Sequence, residues 1–432
     1  MAVAAEPAVA ARLEAQDRLF RAFKVLIVLA LFINLAKILL GGRMFILAAD
    51  ALLMVLFFWV ASHKLVNDKP WLRIEWVVLG LLALGTLQLF NPNVPTIVAG
   101  IEGFRRLLFQ MLTFLVATVA VRDRESVFQV AAIIAVCAVP ILAYGIKQFF
   151  FLSSFDYALI SSNTASIDTW RIFGKTRAFS IFNGPFHLGL FAGLSFWVAV
   201  ALYVKDRRWY LLALAALALA ACLASLTRSS LVALLGSIPV ALFFAFPKSR
   251  MRIAVTTFVI LLALVGVGTL LITTVPEVGL LVNSLSSLDS MTDGTRFTSR
   301  FEGYEKGLDM MARYPTGLGM GSAADAMDHH FIPAGKLHIT SHNLFLRVGL
   351  ETGWPGLILF LIMLGMLIAA AVRLRRAGDQ AATLLLVGPF VFILIAGLTG
   401  STIGAYPVNL LLWSLAGMLV GLSYRKEMNR IG

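Results

Sequence analysis

Apolar and polar positions follow one another along this chain in long blocks. Runs of roughly 17 to 25 apolar residues, the length that carries a helix across a hydrocarbon core, recur near 23–41, 44–62, 74–91, 107–121, 127–150, 183–204, 209–226, 229–247, 253–273, 343–372, 381–400 and 406–423. The pattern predicts an all-α polytopic membrane protein with about twelve transmembrane helices. The fourth run is short, and the tenth is long and bent at Gly353-Trp354-Pro355-Gly356.

Three polar blocks, 92–106, 152–182 and about 274–342, are too long to be turns, and loops of that length are commonly functional. The longest is itself patterned. In RFTSRFEGYEKGLDMMARYP, Phe301, Tyr304, Leu308 and Met311 recur at three- and four-residue steps, so a helix is expected, stopped by Pro315 and the Gly-rich TGLGMG. The chain therefore divides into nine spans with short loops over 1–273, a large loop over 274–342, and three spans with a polar tail over 343–432. Residues 1–22 lack the apolar core and small-residue cleavage site of a signal peptide.

Composition excludes a soluble globule. The chain is 59% hydrophobic and 14% charged, where a soluble domain carries about a quarter charged residues, and its mean hydropathy is +0.88. Both cysteines, Cys137 and Cys222, lie in apolar runs, so neither a disulfide framework nor a thiolate metal site is expected.

Charge orients the stack. With a cytosolic N-terminus, the segments on that side hold 21 of the 36 Lys and Arg and nine acids, and so twelve of the formal +13. Each short cytosolic connection carries at least two basic residues, as the positive-inside bias requires, and twelve spans return the C-terminus to the same side. The basic pI is thus a topology signal and points to no nucleic acid. The three long blocks face the other way.

Arginine makes up ten of the fourteen basic residues available to an outward-facing site. Its planar fork suits phosphate oxygens and keeps its charge when partly desolvated, although an interfacial arginine also simply snorkels to headgroups. Arg228 stands out in LASLTRSSLVALL, in the break between two apolar runs. Thr227, Ser229 or Ser230 would serve there equally as a helix cap. Lys37 and Asp50 lie at similar depth and read as an ion pair tying two helices.

His338 and His342 stand four apart at the border where polar becomes apolar. Ile339 occupies the position a metalloprotease motif gives to Glu, and HITSH holds no carboxylate, which weakens a zinc reading. A neutral imidazole beside arginines suits a general base at a membrane surface; a histidine capping a helix start is the plainer reading.

SHNLFLRVGLETGWPG sets His342 and Asn343 ahead of Gly353 and Gly356, and this resembles the signature of the bacterial O-antigen ligase family in the domain it shares with O-antigen polymerases. TSRFEGYEKGLDMMARYPTGLGMG is similar to the family's Arg-containing periplasmic helix, LTRSSLVALL to its second arginine motif, and TRAFSIFNGPFHLG to its segment before the sixth span. Tyr304 stands where many relatives carry Trp. The resemblance covers about 177–360 well and the first five spans only by topology.

The resemblance implies a GT-C-like fold in the bacterial inner membrane. It implies transfer of a glycan from undecaprenyl pyrophosphate to a sugar of lipid A-core at the periplasmic face, without nucleotide, metal or other cofactor. Arg228, Arg296 and Arg300 would bind pyrophosphate. His342 or His338 would deprotonate the acceptor hydroxyl, and one displacement would invert the anomeric carbon. Asn343, Glu351, Tyr304 and Arg177 would support the site or contact sugar. An O-antigen polymerase and a protein O-oligosaccharyltransferase share these motifs and differ in acceptor. A secondary transporter would place ionisable residues near the midplane, whereas these spans are almost free of charge apart from Lys37 and Asp50.

Overall fold

A backbone in hydrocarbon must satisfy its own hydrogen bonds, so apolar runs of this length become helices. The computed structural model describes residues 5–39, 44–66, 70–162, 170–172, 175–249, 294–323, 343–400 and 402–431. Its helices are α1 (Ala5–Leu39), α2 (Met44–Val66), α3 (Arg73–Gln88), α4 (Ile97–Leu107), α5 (Leu112–Ala120), α6 (Arg124–Phe150), α7 (Ser154–Ser162), α8 (Pro185–Asp206), α9 (Trp209–Ala224), α10 (Arg228–Ala245), α11 (Gly294–Arg313), α12 (Leu344–Arg376), α13 (Gln380–Gly397) and α14 (Val408–Ile431). One short antiparallel pair, β1 (Arg171–Ile172) with β2 (Lys175–Thr176), lies between α7 and α8.

Every expected apolar run falls on a helix except that at 253–273, which lies outside the described residues. Among the described residues nine helices are long and apolar enough to cross a membrane. The fourth run is the second half of a bent crossing in which a 3-10 turn at Phe109–Met111 joins α4 to α5. The apolar α9 is shorter, and α3 has 16 residues. Burial places α14 at the centre of the bundle and α2, α10 and the membrane-crossing part of α12 at its edge.

Ion pairs gather the segments read as cytosolic at one end. Arg124 pairs with Asp379 at 2.7 Å, Arg122 with Asp17 at 2.6 Å and Lys205 with Glu125 at 3.0 Å, and Arg425 donates to the Arg122 carbonyl at 2.7 Å. The segments read as outward meet at the other end. There Asp50, expected to pair with Lys37, is ion-paired to Arg105, and Gln110 donates to its second oxygen at 3.3 Å. The rotation of α2 and the bend after α4 bring Arg105 within reach, which composition does not reveal.

The expected helix of the large loop is α11, packed on α12, but its buried stripe differs from expectation. Gly307 and Met311 are buried and Tyr304 is half-buried, while Leu308 is 58% exposed. A Cβ on Gly307 would run into Leu346, so the missing side chain lets α11 lie close on α12 and rolls Leu308 outward.

The turn after α11 is fastened to two elements. Gln88 donates from Nε2 to the Thr316 carbonyl at 2.5 Å and Asn91 from Nδ2 to that of Gly317 at 3.0 Å; the Leu318 N–H reaches the Leu350 carbonyl at 2.7 Å. The bend expected at residues 353–356 is present. Gly353 adopts φ 72°, breaking α12 into a short outer helix and a long inner one, and the Trp354 N–H donates to the Pro315 carbonyl at 2.9 Å.

Candidate functional site

The turn between α9 and α10, read from the sequence as outward, is built from Ser225, Leu226 and Thr227. Ser225 donates from Oγ to the Cys222 carbonyl at 2.7 Å and accepts the Thr227 N–H at 3.3 Å, and Leu226 takes the left-handed φ of 49°. Thr227 occupies the N-cap of α10, yet its side chain makes no cap bond. Its hydroxyl instead accepts a hydrogen bond from Arg177 Nη2 at 2.9 Å, while Arg177 Nε donates to the Ser225 carbonyl at 3.2 Å. The alternative reading of Thr227 as a side-chain cap thus gives way to holding a second arginine.

Arg228 is the first residue of α10, immediately after that N-cap. Burial, and after it the charge of Arg228, pull the Arg177 guanidinium down to about 10, so two like charges share this turn. A helix N-terminus carries a positive partial charge and disfavours cations. Two guanidinium groups beside one form a positive pole suited to an anion with several oxygens. The backbone of Arg177 is fixed from behind: its N–H donates to the Trp170 carbonyl at 2.9 Å, and the Ala178 N–H to that of Ala224 at 3.0 Å.

A second group of the expected residues frames the start of α12. Asn343 is its N-cap, accepting from the Leu346 N–H at 3.0 Å and donating from Nδ2 to the Leu398 carbonyl at 3.1 Å. Tyr304 donates its hydroxyl to the same carbonyl at 2.7 Å, joining α11 to the ends of α12 and α13. Glu351 is fully buried and accepts from Arg347 Nε at 3.2 Å, while its second carboxylate oxygen is buried without a hydrogen-bond partner among the described residues. The pair lies within α12, one helical turn apart.

Arg296 and Arg300 lie on the first two turns of α11; their side chains, like all of His338 and His342, lie outside the described residues. His342 directly precedes the N-cap Asn343 in the chain. Among the described residues no group of three or more His, Cys, Asp or Glu stands together to hold a metal ion. The contribution of Ser225, and of Gln148 and Asp156 behind the Arg177 segment, was not read from the sequence. The available signal was the polar pair Lys147-Gln148 closing an apolar run, followed by Asp156 in SSFDY.

A family model described as O-Antigen ligase matches residues 212–361. The match runs from α9 to beyond the bend of α12 and takes in Arg228, Arg296, Arg300, Tyr304, His338, His342, Asn343 and Glu351, while Arg177 lies before it. No curated protein matches the chain.

Proposed function

From the premise that this multi-pass membrane chain belongs to the O-antigen ligase family through its 212–361 domain, we propose that it is an O-antigen ligase. It moves the glycan of an undecaprenyl pyrophosphate-linked donor onto a sugar hydroxyl of lipid A-core, at the periplasmic face of the inner membrane, with both termini in the cytosol. The Arg177 and Arg228 pair at the head of α10 carries this reading.

Pyrophosphate is already a good leaving group, and the catalytic need is to stabilise the charge it gains as the sugar departs. Arg228, with Arg177 beside it and Arg296 and Arg300 from α11, supplies that charge. His342, or His338 one helical turn earlier, takes the proton of the acceptor hydroxyl. The acceptor oxygen then bonds to the anomeric carbon as the bond from that carbon to the phosphate oxygen breaks, inverting the centre and releasing undecaprenyl pyrophosphate. No metal or nucleotide enters this scheme. Asn343 and Tyr304 tie the head of α12 and α11 to the end of α13, and with Glu351, paired to Arg347 inside α12, they would orient the base or contact sugar.

The family domain is shared with polymerases, so the test offers two acceptors. Purified protein is incubated in EDTA with carrier-linked glycan and either lipid A-core or a second carrier-linked glycan. Product on lipid A-core alone supports the ligase. Product on the second carrier alone makes the protein a polymerase, and dependence on added divalent cation removes the metal-free scheme.

A further inference from the structure

We propose that Gln148 and Asp156 are positioning residues, a buried clasp that holds the segment bearing Arg177 against the head of α10. The inference rests on the reading of Arg177 and Arg228 as a pyrophosphate site and assigns that site its support.

Gln148 closes the last turn of α6 and is 1% exposed. Both ends of its amide are engaged with the same short segment. Its Oε1 accepts from the Phe179 N–H at 3.2 Å and the Ser180 N–H at 2.6 Å, and its Nε2 donates to the Ser180 carbonyl at 3.0 Å and to Asp156 Oδ1 at 2.7 Å. Ser180 takes a left-handed φ of 55°, unusual for a residue with a side chain, and donates from Oγ to the Ile141 carbonyl at 2.6 Å. Such a conformation persists where its surroundings over-determine it.

Asp156, on α7, is the anchor behind Gln148 and is fully buried. Its carboxylate accepts from Tyr144, from Lys147, from Gln148 and from both the N–H and the hydroxyl of Ser153. Burial alone would raise this carboxyl, but the hydrogen bonds from Lys147 and Ser153, with that of Tyr144, outweigh it and hold the group well below the usual carboxylate range. The charge is therefore permanent under ordinary conditions, and it fixes the orientation of the Gln148 amide.

The arrangement joins α6 and α7 to Phe179 and Ser180, two and three positions from Arg177. Two like-charged guanidinium groups sharing one turn repel each other, and an unheld loop would swing Arg177 into solvent. The Arg177 side-chain bonds to Ser225 and Thr227 hold its head; the clasp holds its backbone. Preorganisation of this kind is what a charge-stabilising site requires.

The test combines hydrogen exchange with transfer kinetics on the full-length protein, for Gln148→Ala and for the milder Asp156→Asn. Amides 177–182 are expected to lose protection in both variants while α8 and α14 keep theirs. The donor kcat/KM is expected to fall about tenfold or more with the acceptor KM unchanged, and Gln148→Ala should add little further loss in an Arg177→Gln background, as coupled residues do. Unchanged protection at 177–182 in either folded variant overturns the clasp. Lost protection with unchanged transfer leaves the clasp standing as a structural device and refutes the pyrophosphate reading of Arg177. An equal loss in both backgrounds, or a rise in acceptor KM, overturns the positioning role.

Discussion

Arg177 donates from Nη2 to the hydroxyl of Thr227 at 2.9 Å, so the N-cap of α10 holds an arginine instead of capping its own helix. The bond sets two residues 51 positions apart, Arg177 and Arg228, at one turn between α9 and α10. Their like charges repel each other beside a helix N-terminus, and an anion at this turn would relieve that repulsion. The turn therefore carries electrostatic strain.

That strain has a measurable sign. Arg177, pulled down by burial and the Arg228 charge to about 10, is a base whose pKa falls on folding, so its charge costs the fold stability at every pH below about 10, and the cost fades as pH rises beyond it. Arg228→Gln should leave the ligand-free protein at least as stable as wild type in a thermal melt in detergent. Inorganic pyrophosphate should raise the wild-type Tm at low ionic strength, with the gain shrinking in salt and absent from the variant. A drop in stability for Arg228→Gln without ligand would show that the arginine is a structural residue.

Neither Arg177 nor Asp156 changes charge between pH 6 and 8: the first titrates near 10, and the second lies well below the ordinary carboxylate range. The pH dependence of transfer in that window should therefore come from a histidine. His342→Ala is expected to lower turnover about a hundred- to ten-thousand-fold and to flatten the profile, while the carrier-linked donor still binds. If His338→Ala does this and His342→Ala does not, the base lies one helical turn earlier. If neither does, acceptor activation by histidine is abandoned for electrostatic stabilisation alone.

Gly353 tests the frame. At φ 72° it occupies a conformation that side chains rarely adopt, and a Cβ there would run into the backbone of Pro315, Thr316 and Gly317. Gly353→Ala should destabilise the protein by about 1 to 3 kcal/mol and loosen the Gly-rich turn, seen as lost exchange protection at the Leu318 and Trp354 amides. Wild-type melting would show that the bend relaxes freely and positions nothing.

The two ends of the bundle make a topological prediction. Reporters fused after Lys205 or Arg376 should be cytosolic, since these lie among the paired basic segments, and one near Asp328 should be periplasmic. A cytosolic reading at Asp328 would put the site on the wrong face for a donor presented outside.

The parts of this structure legible in sequence are those set by local pattern. Apolar run length marked the spans, the Gly353-Trp354-Pro355-Gly356 bend announced a break, and a lone arginine in a short polar gap drew attention to Arg228. What escaped were relationships fixed by rotation and packing. Asp50 meets Arg105 because the phase of α2 and the bend after α4 decide its partner. Leu308 turns outward because Gly307 lets the helix roll. Gln148 and Asp156 reach Ser180 through contacts between separate elements, and single polar residues near loop ends carry no period to betray them.

The account stands or falls on whether two forked donors at the head of α10 hold the departing pyrophosphate. The direct measurement is transfer of labelled glycan from its undecaprenyl pyrophosphate carrier to lipid A-core in proteoliposomes, comparing wild type with Arg177→Lys, Arg228→Lys and the double variant. Lysine keeps the charge and loses the fork. The account predicts that Arg228→Lys falls about a hundred- to a thousand-fold, on the scale of removing one transition-state donor, that Arg177→Lys falls less, and that the double variant loses less than the two single losses combined. Near-normal transfer by both single variants would contradict it and leave these arginines as residues that merely meet the headgroups.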